Sequence, residues 1–227
     1  MESFSAVDFT TYGLENGQIQ AEKTSVIDGE FNFNYNGSNT QINELILPLP
    51  GFHNVENCIA AISVADELNI EAENIRKALN EYKGVKRRFE YIIKTNDLVF
   101  IDDYAHHPEE IRALLKSARA LFPEKKITVI FQPHLFTRTR DFAEAFSETL
   151  SLADEVILLD IYPARELPIN GVNSEMLLAA INSSEKGVYS KEAVISELKN
   201  KDLEVLLAVG AGDIDALVQP IKEALEI

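Results

Sequence analysis

The chain has 227 residues, with 37 acidic and 21 basic side chains and a formal net charge of −16. A chain with this excess of acidic residues lacks the positive electrostatic potential by which proteins bind nucleic acid. No apolar run approaches the roughly 20 residues of a membrane helix. A single cysteine excludes an internal disulfide and a multi-cysteine metal site. No signal peptide is visible. We therefore expect a cytoplasmic protein without nucleic-acid or membrane partners, and oligomerisation stays open.

Residues 1–50 are predicted to form β structure. The dipeptides Asp28-Gly29 and Asn36-Gly37 favour tight primed turns, because both residue types accept positive φ angles. Between these turns, three aromatic residues alternate with asparagines: Phe31, Phe33 and Tyr35. A period of two predicts that the aromatic side chains share one face of a strand.

Two helices are predicted after this β region. The first carries an apolar stripe with steps of three and four residues: Val55, Cys58, Ile59, Ile62, Ala65 and Leu68. The second places Ile75, Leu79 and Tyr82 on one side and ends at Gly84. Residues 1–87 are thus expected to form a small α+β part.

From residue 88 onwards, apolar strands alternate with helices. The predicted strands are 98–102, 127–131, 155–162, 187–189 and 203–210, and the helices begin near Pro108, Asp141, residue 174, Ser190 and Asp213. Such alternation is typical of a parallel sheet covered on both faces. The fold class is therefore α/β, with a doubly wound, mostly parallel, Rossmann-like sheet over 88–227.

The first polar cluster directly follows the first strand of this sheet. It contains Asp102, Asp103, Tyr104, His106 and His107. Ligands bind at the carboxyl ends of parallel strands, so these side chains could bind a metal, handle protons or hold ribose hydroxyls. The alternative is helix capping within a solvated loop.

Further candidate groups follow the later strands. His134, Arg138 and Arg140 could clamp a carboxylate or a phosphate, or form surface ion pairs with the excess of acid. Arg165 follows the third strand and stays open between a functional loop and a surface pair with Glu166.

Weaker signals lie elsewhere in the chain. The segment 210–213 is a Gly-x-Gly turn before a helix, Lys86–Arg88 is a run of three cations, and Asn54 and Asn57 stand at a helix start. The two asparagines could cap the helix or read a purine edge.

Six segments, in this order, resemble motifs of the Mur ligase family. They are GFHNVENCIAA (51–61), GVKRRFE (84–90), DDYAHHP (102–108), FQPHLFTRTRD (131–141), DIYPAREL (160–167) and GAGDI (210–214). The resemblance runs over essentially the whole chain. It implies that residues 1–87 are the last part of the family's central ATP-binding domain and that 88–227 are its C-terminal Rossmann-like domain.

The resemblance also implies an activity. Family members are ATP-dependent ligases, and the last three motifs indicate the member that joins L-alanine to UDP-N-acetylmuramate through an acyl phosphate in peptidoglycan synthesis. ATP and Mg²⁺ would be the cofactors. The family's phosphate loop is absent from the sequence, so the chain is expected to be about half of an enzyme and inactive alone.

Residue roles are carried over by motif. The resemblance implies catalytic roles for His107, Arg138 and Arg140, cofactor contacts for Asn54, Asn57, Arg88 and Asp103, and substrate contacts for Tyr104, His106, His134 and Arg165. Asn54 and Asn57 would contact adenine, Arg88 the phosphates and Asp103 the ribose. No metal ligand is assigned, and the choice of inward-facing histidine between His106 and His107 stays open.

Three other functions are alternatives to this ligase activity. A murein-peptide recycling ligase of the same family carries a similar DDYAHHP-type loop, but the arginine-rich loop 132–141 is not expected in it. A metal-dependent hydrolase could use Asp102, Asp103, His106 and His107. A receiver-like module would need a lysine after the last strand, where the segment 210–213 has none.

Overall fold

The computed structural model describes residues 9–27 and 30–226. The chain divides into two compact units, Met1–Lys83 and Gly84–Ile227. Across the described ranges, no helix has both the length and the apolar character needed to cross a bilayer.

The first unit combines a four-stranded sheet with two helices. Its strands lie in chain order: β1 (Tyr12–Gly13), β2 (Ile19–Ile27), β3 (Glu30–Asn36) and β4 (Gln41–Leu47). Strands β1 and β2 are parallel, and the other pairs are antiparallel. The helices follow as α1 (Phe52–Glu67) and α2 (Ala72–Glu81).

The buried face of this sheet is the one that the aromatic alternation predicts. Phe31, Phe33 and Tyr35 are at most 1% exposed, which confirms the prediction. The apolar stripe of α1 is shorter than expected, because Leu68 is 68% exposed. Asp66 is buried instead, and its carboxylate accepts a hydrogen bond from the Tyr35 hydroxyl at 3.3 Å.

Two local predictions in this unit are wrong. Asn36 and Gly37 do not adopt positive φ angles, because the connection is a longer loop in which the Gly37 amide donates to the Thr40 carbonyl. Glycine is needed for space, since a Cβ at position 37 would lie 2.3 Å from the Tyr35 hydroxyl oxygen. Tyr82 lies beyond the end of α2 and is 47% exposed. The predicted Asp28-Gly29 turn lies outside the described residues.

The second unit is built on a six-stranded sheet. Its elements are β5 (Glu90–Lys94), β6 (Val99–Asp103), α3 (Pro108–Leu121), β7 (Ile127–Phe131), α4 (Phe136–Asp141), α5 (Ala143–Leu150), β8 (Glu155–Leu158), α6 (Ser174–Ala180), β9 (Glu185–Val188), α7 (Lys191–Leu198), β10 (Val205–Val209) and α8 (Asp215–Leu225). The strand order is β5-β6-β10-β7-β8-β9, and only the β5–β6 pair is antiparallel.

Helices cover both faces of this sheet. One apolar cluster joins the strands to α3, α5 and α6 through side chains such as Leu114, Phe146 and Leu177. A second cluster on the other face joins them to α7 and α8 through Val194 and Ile221. The doubly wound, mostly parallel α/β fold is therefore confirmed.

Three details of this unit differ from the prediction. Strand β5 was not predicted, and it adds an antiparallel edge to the sheet. Strand β8 ends at Leu158, because the chain then turns towards the loop after β7, where the Tyr162 amide donates to the Pro133 carbonyl at 2.8 Å. The helix expected from Asp141 begins five residues earlier as α4 and is interrupted at Phe142 before α5.

Candidate functional site

The carboxyl ends of β6, β7, β8 and β10 gather most of the predicted side chains of the second unit. At the end of β6, Asp103 is buried, and its two carboxylate oxygens accept hydrogen bonds from the amides of Phe89 and Ala105 at 2.7 and 2.8 Å. Burial raises the pKa of Asp103. Its carboxylate thus fixes the backbone just before β5 and just after β6. The predicted ribose contact stays a prediction.

Arg87, which the sequence indicated only as the middle residue of the cation run Lys86–Arg88, joins two of the loops at this edge. Its guanidinium lies 3.3 Å from the buried Asp102 carboxylate, donates to the Gly210 carbonyl at 2.6 Å and lies 3.6 Å from Asp215. Burial raises the pKa of Asp102 to about 6 despite this arginine. The run of three cations at Lys86–Arg88 was the sequence signal for this residue.

Tyr104 lies close to two guanidinium groups. The centre of its ring is 5.0 Å from the Arg87 guanidinium carbon and 5.8 Å from that of Arg88. Arg88 is exposed, so its charge is accessible to an anionic ligand.

The two neighbouring histidines have different environments. His106 contacts the Tyr104 carbonyl through Nδ1 at 3.0 Å, and its ring meets those of Tyr104 and His134. His107 caps α3 by accepting from the Glu109 amide, and its ring contacts Phe142 at 4.8 Å. The structure therefore turns His106 towards the loop after β7, and it gives His107 a capping position.

Four rings form a continuous row along the carboxyl edge, which we call the aromatic row: Tyr104, His106, His134 and Tyr162. The successive ring centroids are 5.4, 6.1 and 5.6 Å apart. Tyr162 stacks on His134 with an interplanar angle of 23°. Tyr162 was not selected from the sequence, although it lies in a quoted motif, because nothing in the spacing shows which ring reaches back to β7.

Arg138 and His134 supply unpaired nitrogens next to this row. Nδ1 of His134 and Nη1 of Arg138 are buried and have no hydrogen-bond partner among the described residues. Burial and the charges of Arg138 and His106 lower the pKa of His134, which favours the neutral form of its ring. A buried donor without a partner costs stability unless a ligand satisfies it.

Arg140 and Arg165 lie apart from this pair. Arg140 is exposed and donates to Asp141 at 2.7 Å. Arg165 is exposed and has no hydrogen bond or ion pair with any described residue. Arg138 is close enough to the aromatic row for its charge to lower the pKa of His134, whereas the other two arginines lie on the surface.

The loop after β10 packs against the loop after β7. The Gln132 side chain donates to Asp213 at 2.8 Å and accepts from the Ile214 amide at 3.0 Å. A Cβ at position 212 would lie 2.5 Å from the Gln132 oxygen and 2.7 Å from the Tyr162 ring. Gly212 therefore serves close packing behind the aromatic row.

The two predicted adenine contacts belong to the first unit. Asn54 donates to the Pro50 carbonyl at 2.7 Å, and Asn57 is exposed. Neither caps α1, whose N-cap is Gly51 without a side-chain hydrogen bond.

Among residues 9–27 and 30–226, no three His, Cys, Asp or Glu side chains are grouped so that they could hold a metal ion. Asp102 is engaged by Arg87, and both oxygens of Asp103 are engaged by backbone amides. The geometry therefore gives no support to the hydrolase reading, and the described residues do not fit a magnesium site.

A doubly wound sheet with charged and aromatic loops at its carboxyl edge defines a Rossmann-like binding domain. Residues 87–216 match the family model described as "Mur ligase, glutamate ligase domain". The chain belongs to the Mur ligase family.

Curated relatives and solved structures agree with this assignment. The chain is 49% identical over 197 residues to a UDP-N-acetylmuramate–L-alanine ligase of Cytophaga hutchinsonii, covering 87% of this chain and 42% of the relative. It is 44% identical over 211 residues to the Christiangramia forsetii ligase of the same name, covering 93% of this chain and 47% of the relative. The chain thus spans about half the length of the curated relatives it matches.

The crystal structure of the UDP-N-acetylmuramate–alanine ligase from Thermotoga maritima has the same fold. It superposes with a TM-score of 0.77 at 32% identity, covering 94% of this chain and 47% of that one.

Proposed function

We propose that this chain supplies the C-terminal half of an ATP-dependent ligase that joins L-alanine to UDP-N-acetylmuramate in peptidoglycan synthesis. The observation that carries the proposal is the pair of buried, unpaired nitrogens on His134 and Arg138 at the carboxyl edge of a Mur ligase fold. A fixed cation and a neutral imidazole side by side suit a carboxylate or an acyl phosphate. The names of the two curated relatives support alanine as the amine substrate.

The proposed reaction has two steps. The muramate carboxylate attacks the terminal phosphorus of ATP and ADP departs, which leaves an acyl phosphate. The amine of alanine then attacks the carbonyl carbon, the C–O bond to phosphate breaks, and the amine loses a proton. Charge develops on the transferring phosphoryl group and on the carbonyl oxygen, so cations at these positions lower the barrier.

Within this scheme we assign roles to the residues of the carboxyl edge. Arg138 and His134 hold the alanine carboxylate or the acyl phosphate, and the exposed Arg88 reaches the ATP phosphates. Tyr104 and His106 line the same site through the aromatic row. His107 and Arg140, which the family pattern implies as catalytic, have a capping position and a surface ion pair, and their catalytic roles stay predictions.

We further propose that residues 1–87 correspond to the end of the family's ATP-binding domain, with Asn54 and Asn57 near adenine and Asp103 near the ribose. Arg165 remains a proposed substrate contact. Mg²⁺, which would neutralise phosphate charge, is assigned to parts of the relatives that this chain does not span, because its described residues offer no metal cluster.

A chimeric enzyme tests the proposal. The half of the Cytophaga hutchinsonii ligase that this chain does not match is fused to the chain, and phosphate release is measured with ATP, UDP-N-acetylmuramate and L-alanine. We expect alanine-dependent turnover, and we expect Arg138→Ala to raise the KM for alanine by about 30-fold or more, because it removes a charged hydrogen bond. An Arg140→Ala variant is expected to have a smaller effect.

Two outcomes would contradict the proposal. A folded chimera without alanine-dependent turnover argues against the ligase assignment. Turnover that depends on a murein tripeptide and not on L-alanine would favour the recycling ligase of the same family.

A further inference from the structure

The loop after β8 holds the loop after β7 through its backbone. This segment, which we call the brace loop, comprises residues 162–166. The Tyr162 amide donates to the Pro133 carbonyl at 2.8 Å, and the Leu135 amide donates to the Tyr162 carbonyl at 2.9 Å. These two hydrogen bonds form an isolated parallel β-bridge between His134 and Tyr162. The bridge extends the parallel pairing of β7 and β8 beyond the strand ends.

The side chain at the end of the brace loop caps the helix that carries Arg138. One Glu166 carboxylate oxygen accepts from the Thr137 amide at 2.9 Å, and the other accepts from the Thr137 hydroxyl. These Thr137 donors keep the pKa of Glu166 below its usual range, so the side chain is ionised at pH 7. A carboxylate at a helix N-terminus also complements the helix dipole.

Helix α4 depends on this external cap, because it lacks one of its own. It has six residues, and its N-cap, Leu135, provides no side-chain hydrogen bond and has a φ of 72°. So short a helix is marginal in isolation, and its first amides need partners. Arg138 directly follows the Glu166-bound Thr137 on this helix, and its buried Nη1 is unpaired.

We propose that Glu166 is a positioning residue: by capping α4 it fixes Arg138 beside His134, so that both unpaired nitrogens face one anionic group of the substrate. This inference rests on the proposed ligase function and extends it to a residue to which we assign no substrate contact. Within the DIYPAREL segment, Tyr162 and Glu166 therefore support the site. The exposed Arg165 is not required for this support.

The first test needs no ligase activity. In the full chain labelled with ¹⁵N, the Nε–Hε signal of Arg138 reports the order of its side chain through the heteronuclear NOE. We expect a rigid signal in the parent and a mobile one in Glu166→Ala. Glu144→Ala is the matched control, because Glu144 is an exposed glutamate in the first turn of α5. A rigid Arg138 signal in Glu166→Ala overturns the inference.

The second test uses the chimera. We expect Glu166→Ala to raise the KM for L-alanine about tenfold, less than the loss of Arg138 itself because the guanidinium remains but is less well positioned, with kcat changed less. Glu166→Gln keeps an acceptor for the Thr137 amide, so it should recover part of the loss. An unchanged KM in an active Glu166→Ala chimera contradicts the inference. If the parent chimera is inactive, the ligase proposal fails, and the Arg138 signal alone decides the role of Glu166.

Discussion

Asp102 is a carboxylate held in an unfavourable environment next to the site. Its side chain is 3% exposed, and one oxygen has no hydrogen-bond partner in the described part of the chain. Burial raises its pKa from 3.8 to about 6, Arg87 opposes the shift, and Glu90 and Asp103 add to it. Because the folded pKa is raised, ionisation costs stability: the cost is absent below pH 3.8, grows between 3.8 and about 6, and is complete above that.

Replacing Asp102 by asparagine should therefore stabilise the chain at neutral pH. We expect a gain of about 2 kcal/mol in unfolding free energy at pH 7 that shrinks towards zero near pH 4, because one pKa unit corresponds to about 1.4 kcal/mol. Urea unfolding of parent and Asp102→Asn between pH 4 and 7 measures it, with Asp97→Asn, at an exposed turn, as the control. A loss of stability at pH 7 would show instead that Arg87 requires the negative charge.

At the amino edge of the second sheet, a buried glutamate connects several elements. Glu155, the first residue of β8, is 2% exposed, and its oxygens lie 2.7 Å from Lys201 and 3.0 Å from Lys126. Burial alone would raise its pKa, but the two lysines outweigh burial and the pKa lies below the usual value. This carboxylate therefore stabilises the fold above about pH 4.5 and loses that contribution as the pH falls through its lowered pKa.

Removing one of these lysines should destabilise the sheet. We expect Lys201→Met to cost about 2 kcal/mol at pH 7, since a buried carboxylate loses one of its two cations, and the cost should diminish as the pH falls through the lowered pKa of Glu155. Lys199→Met, at the exposed C-cap of α7 two residues earlier in the chain, is the control. Equal unfolding free energies for the two variants at pH 7 would show that Lys126 alone compensates Glu155.

The elements that the sequence predicts best are those with strong local patterns. Strand β7 is an unbroken apolar run, and the predicted 127–131 matches its bounds. Strand β5 escaped prediction because Glu90–Lys94 is a half-exposed edge with no such run. Helix α4 escaped because its cap, Glu166, comes from a loop 29 residues away in the chain, and no local window contains that interaction.

The sequence predicted which loops form the candidate site, but not which of their side chains lie in it. The carboxyl-edge rule located the loops that carry Tyr104, His106, His134 and Arg138. It could not separate Arg138 from Arg140, because the two lie two residues apart and only the packing of α4 buries one and exposes the other. The roles of Arg87 and Glu166 were not predicted, although both residues lie in segments that the sequence analysis names, because they act through contacts distant in sequence.

At the scale of the whole molecule, we expect the purified chain to be inactive as a ligase. Its sequence contains no GxxxxGK[ST] phosphate loop, and the described residues offer no metal cluster. Incubation with ATP, UDP-N-acetylmuramate and L-alanine should release no alanine-dependent phosphate, with the chimera as the positive control. Alanine-dependent release by the chain alone would refute this expectation.

The strand order has a consequence for biosynthesis. Strand β10 is the last to be made, yet it lies between β6 and β7 at the centre of the sheet. While the ribosome is still adding the segments before it, β6 and β7 each have one unpaired edge, the edge that β10 covers in the finished sheet. The sheet of this unit therefore completes only after its C-terminal residues leave the exit tunnel, and a nascent chain stalled before residue 205 would be a target for chaperones.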